Sequence, residues 1–224
     1  MKEQATIASS DSFKMLRAMV GIGALCGLII VFIYEATLPR IERLRAEALQ
    51  EAIFKVIPGI TEMRSFSYQN NAFILADESD ENVIYAGYDE KGEFKGVAIV
   101  AAGQGYADVI RFIYGYNPEN QEVIGFYVLE NKETPGLGDK IDKDPVFLDN
   151  FTALDVSLNE GGDAIKNKVT TVKKGTKTNA WEVDGITGAT ISSRAIGDII
   201  ATSTEHWIPI IYKNRTVFKN IENE

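Results

Sequence analysis

Asp184, Thr187 and Thr190 stand three residues apart in "DGITGAT", residues 184–190, which runs straight into "ISSRAIGDIIATSTEHW". A hydroxyl residue ahead of a helical run is an ordinary helix start, its oxygen accepting from a first-turn amide. Thr187 suits that cap or a position near it, and Gly188 and Ala189 lay no bulk over the amides. A helix start left bare in this way also suits a phosphate dianion, since unpaired amides and the macrodipole both face it. Thr190 would then present its hydroxyl to the phosphate. Asp184 would repel such an anion unless it caps backbone or recruits a divalent cation. Taken alone, the stretch is a weak signal, because most such threonines only cap helices.

A second candidate is "ETPGLG", Glu133 to Gly138, directly after a β-like run. Pro135-Gly136 favours a turn, which is a sufficient structural reason for the motif. The functional alternative is that Thr134 offers a hydroxyl and Leu137 a flat apolar contact. The small residues between them would let a planar ring approach the backbone.

These residues need elements to hold them. Beyond Thr190, Ile191, Ala195 and Ile199 share one side of a helix, with Ile196 and Ile200 adjacent. Upstream, "NVIYAGYD" and "FKGVAIVAA" flank "EKG", while "VIRFIYGY" and "EVIGFYVLEN" flank "NPENQ". Both pairs read as hairpins. "KVTTVK" offers a further strand inside the Gly-, Lys- and Thr-rich residues 159–180, read as a mobile loop. The balance predicts an α+β domain with an antiparallel sheet. There is no GxGxxG after a strand and no Walker lysine.

Ala18 to Tyr34 reads "AMVGIGALCGLIIVFIY", without a charge and with no small-residue cleavage pattern at its end. It is expected to be an uncleaved transmembrane anchor. Lys2, Lys14 and Arg17 precede it and Arg40, Arg43 and Arg45 follow it, so the positive-inside count ties. Ile41, Leu44, Ala48, Leu49, Ala52, Ile53 and Val56 then repeat at helical spacing up to Pro58-Gly59. The net charge of −9 argues against nucleic-acid binding. One cysteine, Cys26, and one histidine, His206, exclude a four-cysteine iron–sulfur cluster and finger-type zinc sites.

An anchor, then "ETPGLG", then "DGITGAT" resembles the FMN-binding domain family. The nearest resemblance is to the G subunit of the Rnf electron-transport complex, with the C subunit of the sodium-pumping NADH:quinone reductase a relative. Every position of the family's D-x-x-[S/T]-G-A-T motif is matched, by Asp184, Thr187, Gly188, Ala189 and Thr190. The resemblance implies that Thr190 carries FMN through a phosphoester installed by a separate flavin transferase. It implies that Glu133, Thr134, Gly136 and Leu137 lie beside the isoalloxazine, with Lys174, or its neighbour Lys173, close by. It also implies a topology in the cytoplasmic (inner) membrane. Residues 1–17 would be cytoplasmic, 18–38 the membrane helix, and 39–224 an extracytoplasmic flavin domain. The function implied is an electron carrier without a substrate of its own, relaying electrons between ferredoxin and NAD in a chain coupled to sodium or proton movement. Its partners would be the other Rnf subunits and membrane lipid, with no nucleic acid. Two alternatives stay open: an FMN carrier of the quinone reductase, and an anchored scaffold in which "TGAT" only caps a helix.

Overall fold

The computed structural model describes residues 2–76, 80 and 82–219, with side chains from Ser12 onward. The chain divides into two compact units between Ala48 and Leu49. The described residues of the first unit all lie in helix α1 (Lys2–Val56). Every large apolar side chain from Phe13 to Tyr34 is exposed there. This stretch is long and apolar enough to cross a membrane, and water is a poor solvent for such a surface.

The second unit begins with the last turns of α1 and then builds a sheet. Its strands are β1 (Glu62–Gln69), β2 (Ala72–Leu75), β3 (Val83–Tyr88), β4 (Phe94–Gln104), β5 (Val109–Asn117), β6 (Glu122–Glu130) and β7 (Leu154–Asp155). Their order across the sheet is β2-β1-β3-β4-β5-β6-β7, with antiparallel pairing throughout. Both expected hairpins are present, β3–β4 and β5–β6. The β1–β2 hairpin carries no comparable signal in the sequence. It turns on Asn70 and Asn71, both left-handed at φ 50° and 62°, a conformation that asparagine tolerates. Helices α2 (Pro145–Asp149), α3 (Thr190–Lys213) and α4 (Arg215–Lys219) follow. Strands β8 (Thr170–Val172) and β9 (Glu182–Asp184) form a separate parallel pair. "KVTTVK" is therefore a strand outside the main sheet, and it organises part of the segment expected to be a mobile loop.

Alternation along the strands sends side chains into two cores. On β5, Ile110, Phe112, Tyr114 and Tyr116 face α3 and pack with its Ile196, Ile200, Ala201, Ile208 and Ile211. Ile113 faces the other way, with Ala98, onto Ala52, Ile53, Val56 and Ile57 at the end of α1. The amphipathic run before Pro58 thus seals the second face of the sheet. In α3 the buried stripe runs through Ser192, Ser193, Ile196 and Ile200, whereas Ile191 is 55% exposed. On the Ile191 side of the helix, Ile199 is half-buried against the core and Ile191 stands outside it.

Two glycines set how closely α1 can approach. Gly115 and Gly125 are cross-strand partners on β5 and β6. A Cβ would lie 2.0 Å from the Val56 carbonyl oxygen at Gly115 and 2.4 Å from it at Gly125. Only bare backbone lets the helix end settle there. Gly115→Ala is expected to lower the unfolding free energy by about 1–3 kcal/mol, as overpacking does, measured by urea titration. Gly125→Ala should act similarly, and the double variant should cost less than the sum because one shift of α1 relieves both. An unchanged stability in both single variants would refute this account of the packing.

Candidate functional site

The start of α3 is the natural place to look for chemistry. Its N-cap is Ala189, and no side chain caps it. Of the two places the sequence allows Thr187, at the cap or near it, the first is excluded. Thr187 instead stands exposed in the preceding turn, which Ala189 closes by donating its amide to the Ile186 carbonyl at 3.1 Å. Ala189 therefore has no free amide. Among the described residues, the first-turn amides of Thr190, Ile191 and Ser192 have no acceptor, while Ser193 already bonds the Ala189 carbonyl at 2.9 Å. Gly188, at φ 87°, adopts a conformation that a side chain would resist.

Two cavities meet at Thr190. The first, about 350 Å³, is lined by Thr134, Leu137 and Gly138 from the "ETPGLG" turn, by Gly188 to Ser192, and by Tyr106. Tyr106, Leu137 and Ile191 are 64%, 52% and 55% exposed, so three large apolar surfaces surround this hollow. The second cavity, about 420 Å³, is lined by Lys173, Lys174, Arg194 and the hydroxyl residues Thr171, Thr187, Thr190 and Ser193, with no carboxylate on its wall. Thr190 is the hydroxyl common to both.

The sequence-predicted residues separate accordingly. Thr134, Leu137, Gly188, Ala189 and Thr190 share the apolar cavity, and Thr187, Lys174 and Thr190 share the cationic one. Gly136, at φ 78°, makes the turn and lines neither. Glu133 lies beneath, 4% exposed. Its Oε1 accepts from the amides of Tyr106 and Ala107 at 2.9 and 3.0 Å, and its Oε2 from the Ser192 hydroxyl. One buried carboxylate thus joins the β4–β5 loop, the "ETPGLG" turn and the first turn of α3. Gly138 and Gly105 leave room for it, since a Cβ at either would approach Glu133 to 2.6 or 2.5 Å.

Asp184 holds backbone. Its two carboxylate oxygens accept from the Gly175 amide at 2.7 and 2.8 Å, and Oδ1 also takes the Thr176 amide at 3.4 Å. Of the two roles open to it from sequence, the structure displays capping, applied to the lysine turn and not to α3. Glu182, two residues earlier on β9, accepts from the amides of Thr178 and Asn179 at 2.7 and 3.0 Å. Those bonds hold the Glu182 carboxyl down at about 2.

Sequence reasoning passes over Tyr106, Ile191 and Arg194 as site residues. Arg194 is legible, standing one helical turn past Thr190 and so on its face. Tyr106 is signalled only by its setting in "GQGYAD", between a strand end and a strand start.

Residues 105–205 match the FMN-binding domain family. That span contains Tyr106, both motifs and the first turns of α3. This part of the chain is similar to an FMN-binding domain. Over its wider length the chain is similar to the G subunit of the ion-translocating oxidoreductase complex of Methanosarcina acetivorans, with 27% identity over 88% of this chain and 95% of that one. It is also similar to the G subunit of the Na(+)-translocating ferredoxin:NAD(+) oxidoreductase complex of Acetobacterium woodii, with 25% identity over 87% and 91%. Among solved structures, the C subunit of the Na(+)-translocating NADH-quinone reductase from Parabacteroides distasonis shares the fold. Its TM-score is 0.58 at 19% identity, covering 82% of this chain and 98% of that one. NqrC of Shewanella oneidensis gives 0.55 at 18%, over 79% and 96%.

The Glu133 junction makes the architecture of the site testable without any ligand. Glu133→Ala would strand two amides and a hydroxyl beneath the site, at a cost of about 2–3 kcal/mol. Amide exchange at Tyr106 and Ala107 should accelerate while β5 stays protected. Glu133→Gln keeps an acceptor and should cost less. Unaltered exchange in the alanine variant would show that the loop is held some other way.

Proposed function

We propose that this chain is a membrane-anchored FMN carrier of an Rnf-type ion-translocating complex, with FMN esterified through its phosphate to Thr190. One observation carries the reading. Thr190 is the hydroxyl at which an apolar hollow, a cationic hollow and an uncapped helix start coincide. These residues fit FMN part by part. The free amides of Thr190, Ile191 and Ser192, with Lys173, Lys174 and Arg194, would hold the phosphate. Leu137, Tyr106 and Ile191 would line the ring, with Thr134 offering a hydroxyl at its edge. FMN supplies the electron-transfer chemistry, and the protein supplies position and electrostatics. No side chain is needed as a general acid or base.

Attachment is a balanced transfer from a flavin dinucleotide, performed by a separate transferase. Thr190 Oγ forms a bond to the FMN phosphorus and a pyrophosphate P–O bond breaks. The nucleoside monophosphate leaves with the electron pair, and the hydroxyl proton is released. The similarity to G-subunit sequences over nearly their whole length supports an Rnf-type assembly. The exposed apolar stretch of α1 supports a bilayer anchor packed against other membrane subunits. In this reading residues 1–17 are cytoplasmic, residues 18–38 span the inner membrane, and residues 39–224 lie outside it. The chain relays electrons between neighbouring centres on a route from ferredoxin to NAD.

Thr190→Val keeps the branched shape and removes the hydroxyl, so the domain should fold with a stability change on the order of 1 kcal/mol. Coexpressed with a flavin transferase, the wild-type band should fluoresce after denaturation and gain the mass of FMN less water. The valine variant should do neither. Covalent flavin on that variant would disprove the attachment point. For topology, protease added to cells with a permeabilised outer layer should remove the flavin domain and leave a short anchor. Full protection until lysis would place the domain in the cytoplasm.

A further inference from the structure

A carboxylate six residues before an anion-binding hydroxyl calls for explanation, because its charge opposes the ligand. We propose that Asp184 is a positioning residue for flavin attachment, holding the Lys173–Lys174 turn against the cavity that Thr190 enters. The proposal rests on Thr190 as the attachment point and explains how the site is kept ready for the phosphate.

The geometry is specific. β8 and β9 run parallel with Val172 opposite Asp184, and the Gly185 amide donates to the Val172 carbonyl at 3.0 Å. Beyond Val172 the chain must reverse. It does so at Gly175, whose φ is 78°. The Thr176 amide and hydroxyl close the turn onto the Lys173 carbonyl, at 3.0 and 2.7 Å. Both Asp184 oxygens are spent on the amides inside this turn. Asp184 is itself fixed, since its amide donates to Asn150 Oδ1 at 2.9 Å and its carbonyl accepts from Asn150 Nδ2 at 3.2 Å. Asn150 is only 5% exposed. The chain of support thus runs from α2 through Asn150 and Asp184 to the lysine turn.

Spending the carboxylate on amides has an electrostatic consequence. Asp184 does not pair with the lysines, so their charge stays available to an anion. Among the described residues Lys173 makes no ion pair, and Lys174 has a long one, 4.0 Å, to Asp144. The alternative is that Asp184 holds a divalent cation. Among the described residues no group of three or more histidine, cysteine or acidic side chains could hold a metal. Glu182 fastens Thr178 and Asn179 further along, but Asp184 is the anchor adjoining the lysines. Without it, two mobile cations would have to be ordered at the moment of transfer, a cost that falls on rate.

The test is a cycle of variants of the full chain, coexpressed with limiting flavin transferase and read by in-gel flavin fluorescence and intact mass. Asp184→Ala and the pair Lys173→Ala/Lys174→Ala should each slow covalent loading, by about tenfold if the turn supplies much of the phosphate's positioning. The triple variant should be no slower than the worse of the two, because one path is being broken twice. Asp184→Asn keeps an acceptor for Gly175 and should restore most of the rate. In flavin-free full chain in detergent, the Gly175 and Thr176 amides should exchange faster in Asp184→Ala while β5 amides do not change. If β5 protection is also lost, the asparagine variant carries the comparison alone. Multiplicative losses in the triple variant, or an asparagine variant as slow as alanine with Gly175 still protected, would overturn the proposal and assign the carboxylate a direct role. Flavin on Thr190→Val would instead sink the attachment reading, and the exchange result would stand apart from it.

Discussion

Three amides at the head of α3 find no acceptor among the described residues, and the surrounding structure is arranged to keep that helix end both open and fixed. A side-chain cap there would contribute about 1 kcal/mol, and the sequence forgoes it by placing Ala189 at the cap position. Rigidity comes from below. Glu133 holds Ser192. The Ser193 hydroxyl accepts from the Ile186 amide and donates to the Thr190 carbonyl, both at 3.3 Å. The outer side of the turn carries Thr187, Gly188 and the Thr190 hydroxyl, all exposed. Pinning one side frees the other for a ligand.

Charge is distributed on the same plan. The chain as a whole is acidic, at −9, so the long-range field does not draw anions in. Yet the cavity beside Thr190 has two lysines and an arginine on its wall and no carboxylate. Carboxylates do lie close by, but they are spent: Glu133 on two amides and a hydroxyl, Asp184 on two amides, and Glu182 on two more. Backbone donors satisfy these anions without consuming a cation. Local positive potential survives in an acidic protein because the negative groups around it are already answered.

Much of this is legible in the sequence, and the omissions have physical reasons. The two central hairpins declare themselves by apolar runs and turn residues, and the helix after Thr190 by its period. β1, "EMRSFSYQ", is only partly buried, and its alternation is correspondingly weak. The two motifs are found by residue type, yet their division into an apolar and a cationic hollow depends on contacts across long sequence distances. Tyr106 and Leu137 belong to different loops, and nothing in either loop names the other. Glu133 reads toward the ring because its motif neighbours face that hollow. A strand-end carboxylate can point to either side of the backbone, and here it points inward. Thr187 has the chemistry of a cap but stands two residues before it, since the helix begins only at Thr190.

The shape of the site bears on the proposed ester at Thr190. Deep ligand pockets bury most of a ligand's surface, whereas the hollow beside Thr190 is about 350 Å³ and its three large apolar residues are more than half exposed. A ring seated there keeps much of its edge in solvent, so apolar burial alone would hold it weakly. That exposure is an advantage to a carrier, because a neighbouring centre can approach closely without a lid having to open. Retention and access therefore oppose one another at such a site. In the proposed reading the ester at Thr190 removes the conflict: the phosphate end supplies retention through a bond, and the ring end is left open to exchange electrons.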